Sequence, residues 1–209
     1  MPASIPNDIF QFSVYSALNA GFNTGQPRTA DLTTHGTDGI GVYEDGTLML
    51  LKDGQAHSIN KSSSARPAPM DARLPFAMVT IYQPSFKLKI PWITLESLDE
   101  LISSSELGPA KGVNTLIPFK IAGRFEFVDF ADGAGQKKVD GTVSGFVIPA
   151  WMKHMSGERI HAHFLDASEE VGGRVVDFRM NEEGVLSYAK CGRFHLGFPQ
   201  GEQWEEMKL

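Results

Sequence analysis

Two imidazoles set two residues apart are the part of this sequence best equipped for chemistry: His161 and His163, in Ile160-His161-Ala162-His163-Phe164. Side chains at i and i+2 of a strand lie on one face, with Cα atoms about 7 Å apart. Both rings then enter one pocket, where they can share a metal ion or act as acid and base near neutral pH. Zinc and related ions ordinarily take at least three protein ligands, so the pair alone leaves such a site incomplete. The plainer alternative makes one ring a hydrogen-bonded core group and the other a solvated one. His35, His57, His154 and His195 are scattered, and His195, between Phe194 and Leu196, joins the pair only if the last strand lies beside it.

Other chemistries find less support. The Lys190-Cys191-Gly192-Arg193 context favours a thiolate, yet a lone, partly buried thiol is read here as inert. There is no G-x-S-x-G elbow and no P-loop. Gly36-Thr37-Asp38-Gly39-Ile40-Gly41 is superficially like a phosphate cradle, but no helix follows to supply a dipole, so close backbone packing is the better reading.

The bulk properties narrow the setting. A chain of 209 residues can bury a substantial core without staples. Its single cysteine rules out an internal disulfide and a Cys-rich metal site, and favours a reducing compartment. The net charge of −6, with no clustered Lys and Arg, argues against a nucleic-acid partner. Met1-Pro2-Ala3-Ser4-Ile5-Pro6 lacks the basic and apolar regions of a signal peptide, and no run nears the roughly 18 apolar residues of a membrane helix. The expectation is a soluble, cytoplasmic protein without membrane partners.

Two-residue alternation supplies the scaffold. Strands are predicted at 10–15, where Phe10, Phe12 and Val14 share an apolar face opposite Gln11, Ser13 and Tyr15, and at 39–43, 47–52, 76–82 and 86–90. Glu44-Asp45-Gly46 is the turn between the second and third. Leu95, Leu98, Leu101 and Ile102 have helical spacing, Thr94 is the expected N-cap, and the helix is expected to end near Gly108-Pro109 and to face the core. Strands resume at 115–130, 139–148, 159–165, 174–180 and 185–198. So many short strands with one helix are better closed than left with free edges. The expected fold is therefore α+β, predominantly β: residues 1–113 form a mixed or antiparallel sheet with one main helix, packed as one compact unit on a β-barrel of residues 114–209. Residues 62–69, rich in Pro and Ser, are expected to be a crossing loop.

Several blocks, in order, resemble one family. They are His35-Gly-Thr-Asp-Gly-Ile-Gly41, Ser64-Ala-Arg-Pro67, Leu74-Pro-Phe-Ala-Met-Val-Thr80, Gly141-Thr-Val-Ser-Gly-Phe146, His161-Ala-His-Phe164 and Gly172-Gly-Arg-Val-Val-Asp-Phe178. Together, across residues 10–178, they look like acetolactate decarboxylase. The resemblance implies the same two-part fold, a cleft site and a homodimer. It also implies a zinc ion held by the His-x-His pair and a third His in a Gly-Gly-His-Val motif, polarising the substrate's hydroxyl and carbonyl oxygens.

His161 and His163 match the first two ligands, and the third position holds Arg174, whose guanidinium has no lone pair to offer a cation. The family's Glu after the Asp-Gly turn is Thr47 here, and the Thr of its Gly-Leu-Gly-Thr motif is Val42. Its catalytic Arg has no counterpart: Asp129-Phe-Ala131 stands in that place, and the segment from there to Gly141 is much shorter. The resemblance thus implies a diverged member, in which zinc is possible but no cofactor is expected, with His161, His163 and Arg174 as catalytic side chains. Thr47, Val42 and Lys120 are expected to contact the substrate.

Three readings follow. In the first, the scaffold serves a metal-independent lyase, isomerase or cyclase of secondary metabolism, working on an oxygenated organic acid or polyketide-like carbonyl compound, with Arg174 as electrophile. The second is authentic zinc-dependent conversion of acetolactate to acetoin, with a third ligand recruited from Glu158, Asp177 or His195. The third is a non-catalytic binding protein in which Arg174 pairs with Asp166, Glu169 or Glu170.

Overall fold

The computed structural model describes residues 7–103 and 114–209, so the readings of the first six residues and of the helix end near Gly108 lie outside the described residues. Two seven-stranded sheets carry the structure. The first contains β1 (Asn7–Phe12), β2 (Asp38–Val42), β3 (Leu48–Lys52), β4 (Gln55–Ile59), β5 (Ala65–Pro67), β6 (Phe76–Thr80) and β14 (Cys191–Gly197). It runs in the order β14-β1-β6-β2-β3-β4-β5 and is mixed, because β14 lies parallel to β1 while the other pairs are antiparallel.

The second contains β7 (Phe86–Ile90), β8 (Ile93–Thr94), β9 (Ile117–Phe130), β10 (Gln136–Val147), β11 (Ile160–Asp166), β12 (Gly172–Met180) and β13 (Gly184–Tyr188). The long β9 pairs with β10 along most of its length and with β12 near its end, so β9, β10, β11 and β12 close into a four-stranded barrel. Short helices α1 (Tyr15–Asn19), α2 (Thr29–Leu32), α4 (Lys153–Ser156) and α5 (Glu202–Glu205) lie around this frame, with α3 (Leu95–Ser103) the longest described. The fold is predominantly β, a mixed sheet on a barrel, as its alternation implied. No helix among the described residues is long and apolar enough to cross a membrane.

Local chemistry explains the elements. Thr94 and Ser97 cap α3 reciprocally: the Ser97 N–H donates to Thr94 Oγ1 at 3.1 Å and the Thr94 N–H to Ser97 Oγ at 2.8 Å. Its Leu98 and Ile102 are fully buried in the barrel core with Phe119, Phe125, Phe164 and Phe178. A second core, including Ile9, Ile40, Leu50, Phe76, Phe146 and Leu165, fills the space between the sheets. The Gly36–Gly41 segment is close backbone packing: a Cβ on Gly36 would sit 2.6 Å from the Thr80 nitrogen, and one on Gly41 2.8 Å from the Phe76 carbonyl.

Some elements differ from the sequence reading. The strand expected at 10–15 stops at Phe12, because Ser13 takes a left-handed backbone (φ 64°) and turns the chain into α1. Its supposedly polar face is buried, with Gln11 fully enclosed. The strand expected at 185–198 is two, β13 in the second sheet and β14 in the first, broken at Ala189-Lys190. Since β7, β8 and α3 in turn lie with the second sheet, the chain crosses the expected division near residue 113 in both directions. Within the expected loop at 62–69 lies β5, an edge strand where Pro67 costs no interior ladder bond.

Candidate active site

Strands β11 and β12 bring the three reactive side chains together. In their antiparallel ladder His163 stands directly opposite Arg174, so both project from the same face, and His161 follows two residues along. The Gly172-Gly173 pair makes this approach possible, since a Cβ on Gly172 would lie 2.6 Å from the Phe164 carbonyl and one on Gly173 2.5 Å from the Phe130 ring. The face opens onto a cavity of about 220 Å³ between the sheets, lined also by Tyr15, Leu18, Gly41, Val42, Leu48 and Phe76. One wall is therefore polar and the rest apolar or aromatic, as in small-molecule sites generally.

Each imidazole is held differently. The His161 ring stacks near Phe76 (6.2 Å between centroids, 20° apart) and meets Tyr15 edge-on at 5.6 Å. Its Nδ1 faces the Ser156 carbonyl at 3.3 Å, which makes Nδ1–H the donor and leaves the Nε2 lone pair available. Gly157, at φ 112°, lets the chain turn beside that ring: a Cβ there would be 2.9 Å from Nδ1. His163 is 1% exposed, and neither ring nitrogen has a hydrogen-bond partner among the described residues. The Met49 carbonyl favours its protonated form slightly without reaching hydrogen-bond geometry.

Burial is the main force on both rings, pushing His161 down to about 4 and His163 to about 3, with the Arg174 charge adding to each and His161 itself adding to the shift of His163. This corrects the expectation, drawn from the spacing alone, of groups that titrate near neutral pH: both are neutral imidazoles there. A base whose pKa is depressed by folding takes up its proton in the unfolded chain first. Its contribution to stability is complete above about 6.5 and is lost as pH falls toward the folded value. Stability should therefore drop between about pH 6.5 and pH 5, by up to about 1.4 kcal/mol per pH unit for His163. Urea unfolding of wild type and His163→Gln across that range checks this, and equal slopes would contradict it.

Arg174 is half-buried and has no ion pair among the described residues. The acids that could have claimed it are otherwise engaged: Asp166 accepts from the Glu170 and Val171 N–H groups at 2.9 and 2.8 Å, while Glu169 pairs with Lys52 at 2.8 Å and faces His57 at 3.7 Å. Glu170 makes no pair with Arg174 either.

Of the expected substrate contacts, only Val42 lines this cavity. Thr47 bonds to Asp45 through Oγ1 at 2.7 Å and borders a separate surface hollow with Tyr43 and Arg73. Lys120 is locked between the sheets, 2.6 Å from Asp38 and 2.7 Å from Asp53, with the Tyr82 ring below it. Both lie outside because their partners are nearer than the cavity. Tyr15, Leu18, Leu48 and Phe76 were missed as cavity residues; Tyr15 belongs to a short helix where alternation suggested a strand. Cys191 has its thiol pushed up to about 11 by burial, which suits an inert group.

The zinc that the resemblance implies can be tested against this donor set. Two imidazoles face a guanidinium that has no lone pair and keeps its positive charge. Glu158 and Asp177 line a neighbouring groove, and His195 lies 3.8 Å from Asp8 on the far edge of the first sheet. No group of three or more His, Cys, Asp or Glu is placed to hold a metal among the described residues. The residues present do not fit a three-ligand zinc site.

With the geometry in place, comparison with known proteins is informative. The model of the alpha-acetolactate decarboxylase family matches residues 9–138 and 131–209. The alpha-acetolactate decarboxylase of Methylococcus capsulatus is 25% identical over 93% of this chain and 81% of its own length, and that of Streptococcus thermophilus 28% identical over 91% and 87%. Among solved structures, acetolactate decarboxylase from Bacillus subtilis subspecies spizizenii superposes with a TM-score of 0.87 at 21% identity, covering 96% of this chain and 94% of that one. A Staphylococcus aureus protein of unknown function, similar to alpha-acetolactate decarboxylase, gives 0.87 at 20% identity over 97% and 94%. Matched over nearly its whole length by both sequence and fold, this chain belongs to the alpha-acetolactate decarboxylase family.

Proposed function

We propose that the protein is a lyase-type enzyme acting on a small oxygenated organic acid, with Arg174 serving as the electrophile where the family resemblance implies a metal. The observation that carries this reading is the position of Arg174: directly across from His163, without an ion pair among the described residues, on the polar wall of an otherwise apolar cavity. A fixed cation in such a place strongly favours charge that develops during reaction.

A 2-hydroxy-3-oxo acid illustrates the chemistry. The bond to the carboxylate breaks, CO2 leaves, and the electron pair moves to the ketone oxygen, giving an enolate that later takes a proton from water. The Arg174 fork stabilises the enolate oxygen. His161 Nε2 accepts the substrate hydroxyl, and a neutral His163 donates to the same oxygens, a role suited to an imidazole kept unprotonated. Leu18, Val42, Leu48 and Phe76 offer the carboxylate an apolar wall, which favours its departure as neutral CO2. An isomerase or cyclase would use the same wall to stabilise an enolate without losing CO2.

The relatives' name makes 2-acetolactate the first compound to try. Incubation with it and with homologous 2-hydroxy-3-oxo acids, followed by NMR of products and CO2 release, should give saturable turnover with at least one member. No turnover above the solution background across the series would overturn the reading in favour of a binding protein.

A further inference from the structure

The β11–β12 ladder is short. It runs from Leu165 opposite Gly172 to His163 opposite Arg174 and then stops. Beyond that point β11 stays with β10, pairing Ala162 with Gly145 and Ile160 with Val147, while β12 goes over to β9, pairing Val175 with Phe130. The strands part, and α3 approaches the opening with Leu95, Glu96 and Asp99. What results is a groove of about 680 Å³ whose inner end is formed by His161 and Arg174, the two residues it shares with the smaller cavity.

Its walls include the apolar Leu95, Ile160, Ala162, Val175 and Val176, the last of these 48% exposed. Its charged lining, besides Arg174, is four carboxylates, Glu96, Asp99, Glu158 and Asp177, and one further guanidinium, Arg159. Asp99 is 2.9 Å from Arg159, and none of the four pairs with Arg174. A guanidinium with no ion pair among the described residues, in a groove where the four acids lie but do not claim it, is placed to take an anionic group from a ligand. The body of that ligand would meet apolar surface, and any second negative charge on it would meet the acids.

We propose that the groove between β11 and β12 seats the distal part of the substrate, which is an oxygenated acid with its reacting head at Arg174 and His161 and an extended tail carrying no second negative charge. This rests on the preceding assignment of Arg174 to the substrate head. It sets a substrate class larger than the head alone, because the groove has about three times the volume of the inner cavity (680 against 220 Å³).

Calorimetry with three probes tests it: 2-hydroxy-2-methylpropanoate, 2-hydroxyoctanoate and 2-hydroxyoctanedioate. The octanoate should bind roughly tenfold or more tighter than the short acid, given the apolar area its chain covers, and the dioate should lose most of that gain. Val176→Trp, which fills the groove from an exposed position, should remove the advantage of the octanoate. If the short acid binds in an Arg174-dependent way but the octanoate binds no better, or if its advantage survives Val176→Trp, the groove is not the tail's seat and the head assignment still stands. Failure of all three probes to bind would overturn both.

Discussion

Arg174→Met should lower turnover by roughly thirtyfold or more, equivalent to about 2 kcal/mol of transition-state stabilisation, with the larger share in kcat. In the proposed reaction the guanidinium would face the oxygen on which charge develops, from a wall whose two imidazoles are neutral. Its help is therefore greater in the transition state than in the bound ground state. Arg174→Lys should recover only part of the loss, since an ammonium keeps the charge but not the planar fork. Both variants should fold: Arg174 has no ion pair among the described residues to break, and a charge in a pocket seldom adds net stability. Steady-state kinetics on the best substrate decides the matter, and a change within about threefold for Arg174→Met would remove the residue from the chemistry.

Arg174→His should turn the site into a zinc site. The cross-strand register places residue 174 opposite His163, with His161 on the same face, so a third imidazole there completes the donor set that two rings leave open. The substitution also removes the fixed positive charge that opposes a dication. Zinc affinity, measured by competition with a chromophoric chelator, should rise by at least about a hundredfold, with one ion per chain. No gain would mean that the three side chains do not converge as the ladder requires.

How much of this was legible in the residues can be argued from particular elements. Period-two alternation located most strands because most of them bury at least one face, and the Leu95–Ile102 stripe located α3 for the same reason. The pairing of strands was another matter. Nothing local in Cys191–Gly197 says that it leaves the barrel to lie parallel to β1, for that partnership spans nearly the whole chain. β4 was overlooked because its inward residues are His57 and Ile59, and a buried histidine breaks the apolar pattern without breaking the strand.

At the site, strand geometry alone put His161 and His163 on one face, whereas Arg174 was joined to them only by the family resemblance of the Gly-Gly-Arg block; the ladder sets it opposite His163. Lys120 and Thr47 were misplaced because a side chain's partners come from the packed structure: Asp38 and Asp53 lie far from Lys120 in sequence, yet hold it away from the cavity. The state of the imidazoles was equally hidden. Their spacing suggests groups that titrate near neutral pH, and it is chiefly their burial, with the Arg174 charge adding to it, that keeps them neutral.

The central claim, that an arginine does here what the family resemblance assigns to a metal, is tested most directly by the metal dependence of turnover. The protein is stripped with a strong chelator, its zinc content is measured, and its rate on the best substrate is followed as zinc is added back. Full activity in the stripped protein, unchanged by zinc, is the expected result. Activity that disappears on stripping and returns in proportion to about one zinc per chain would contradict the account and restore metal-dependent decarboxylation in its place.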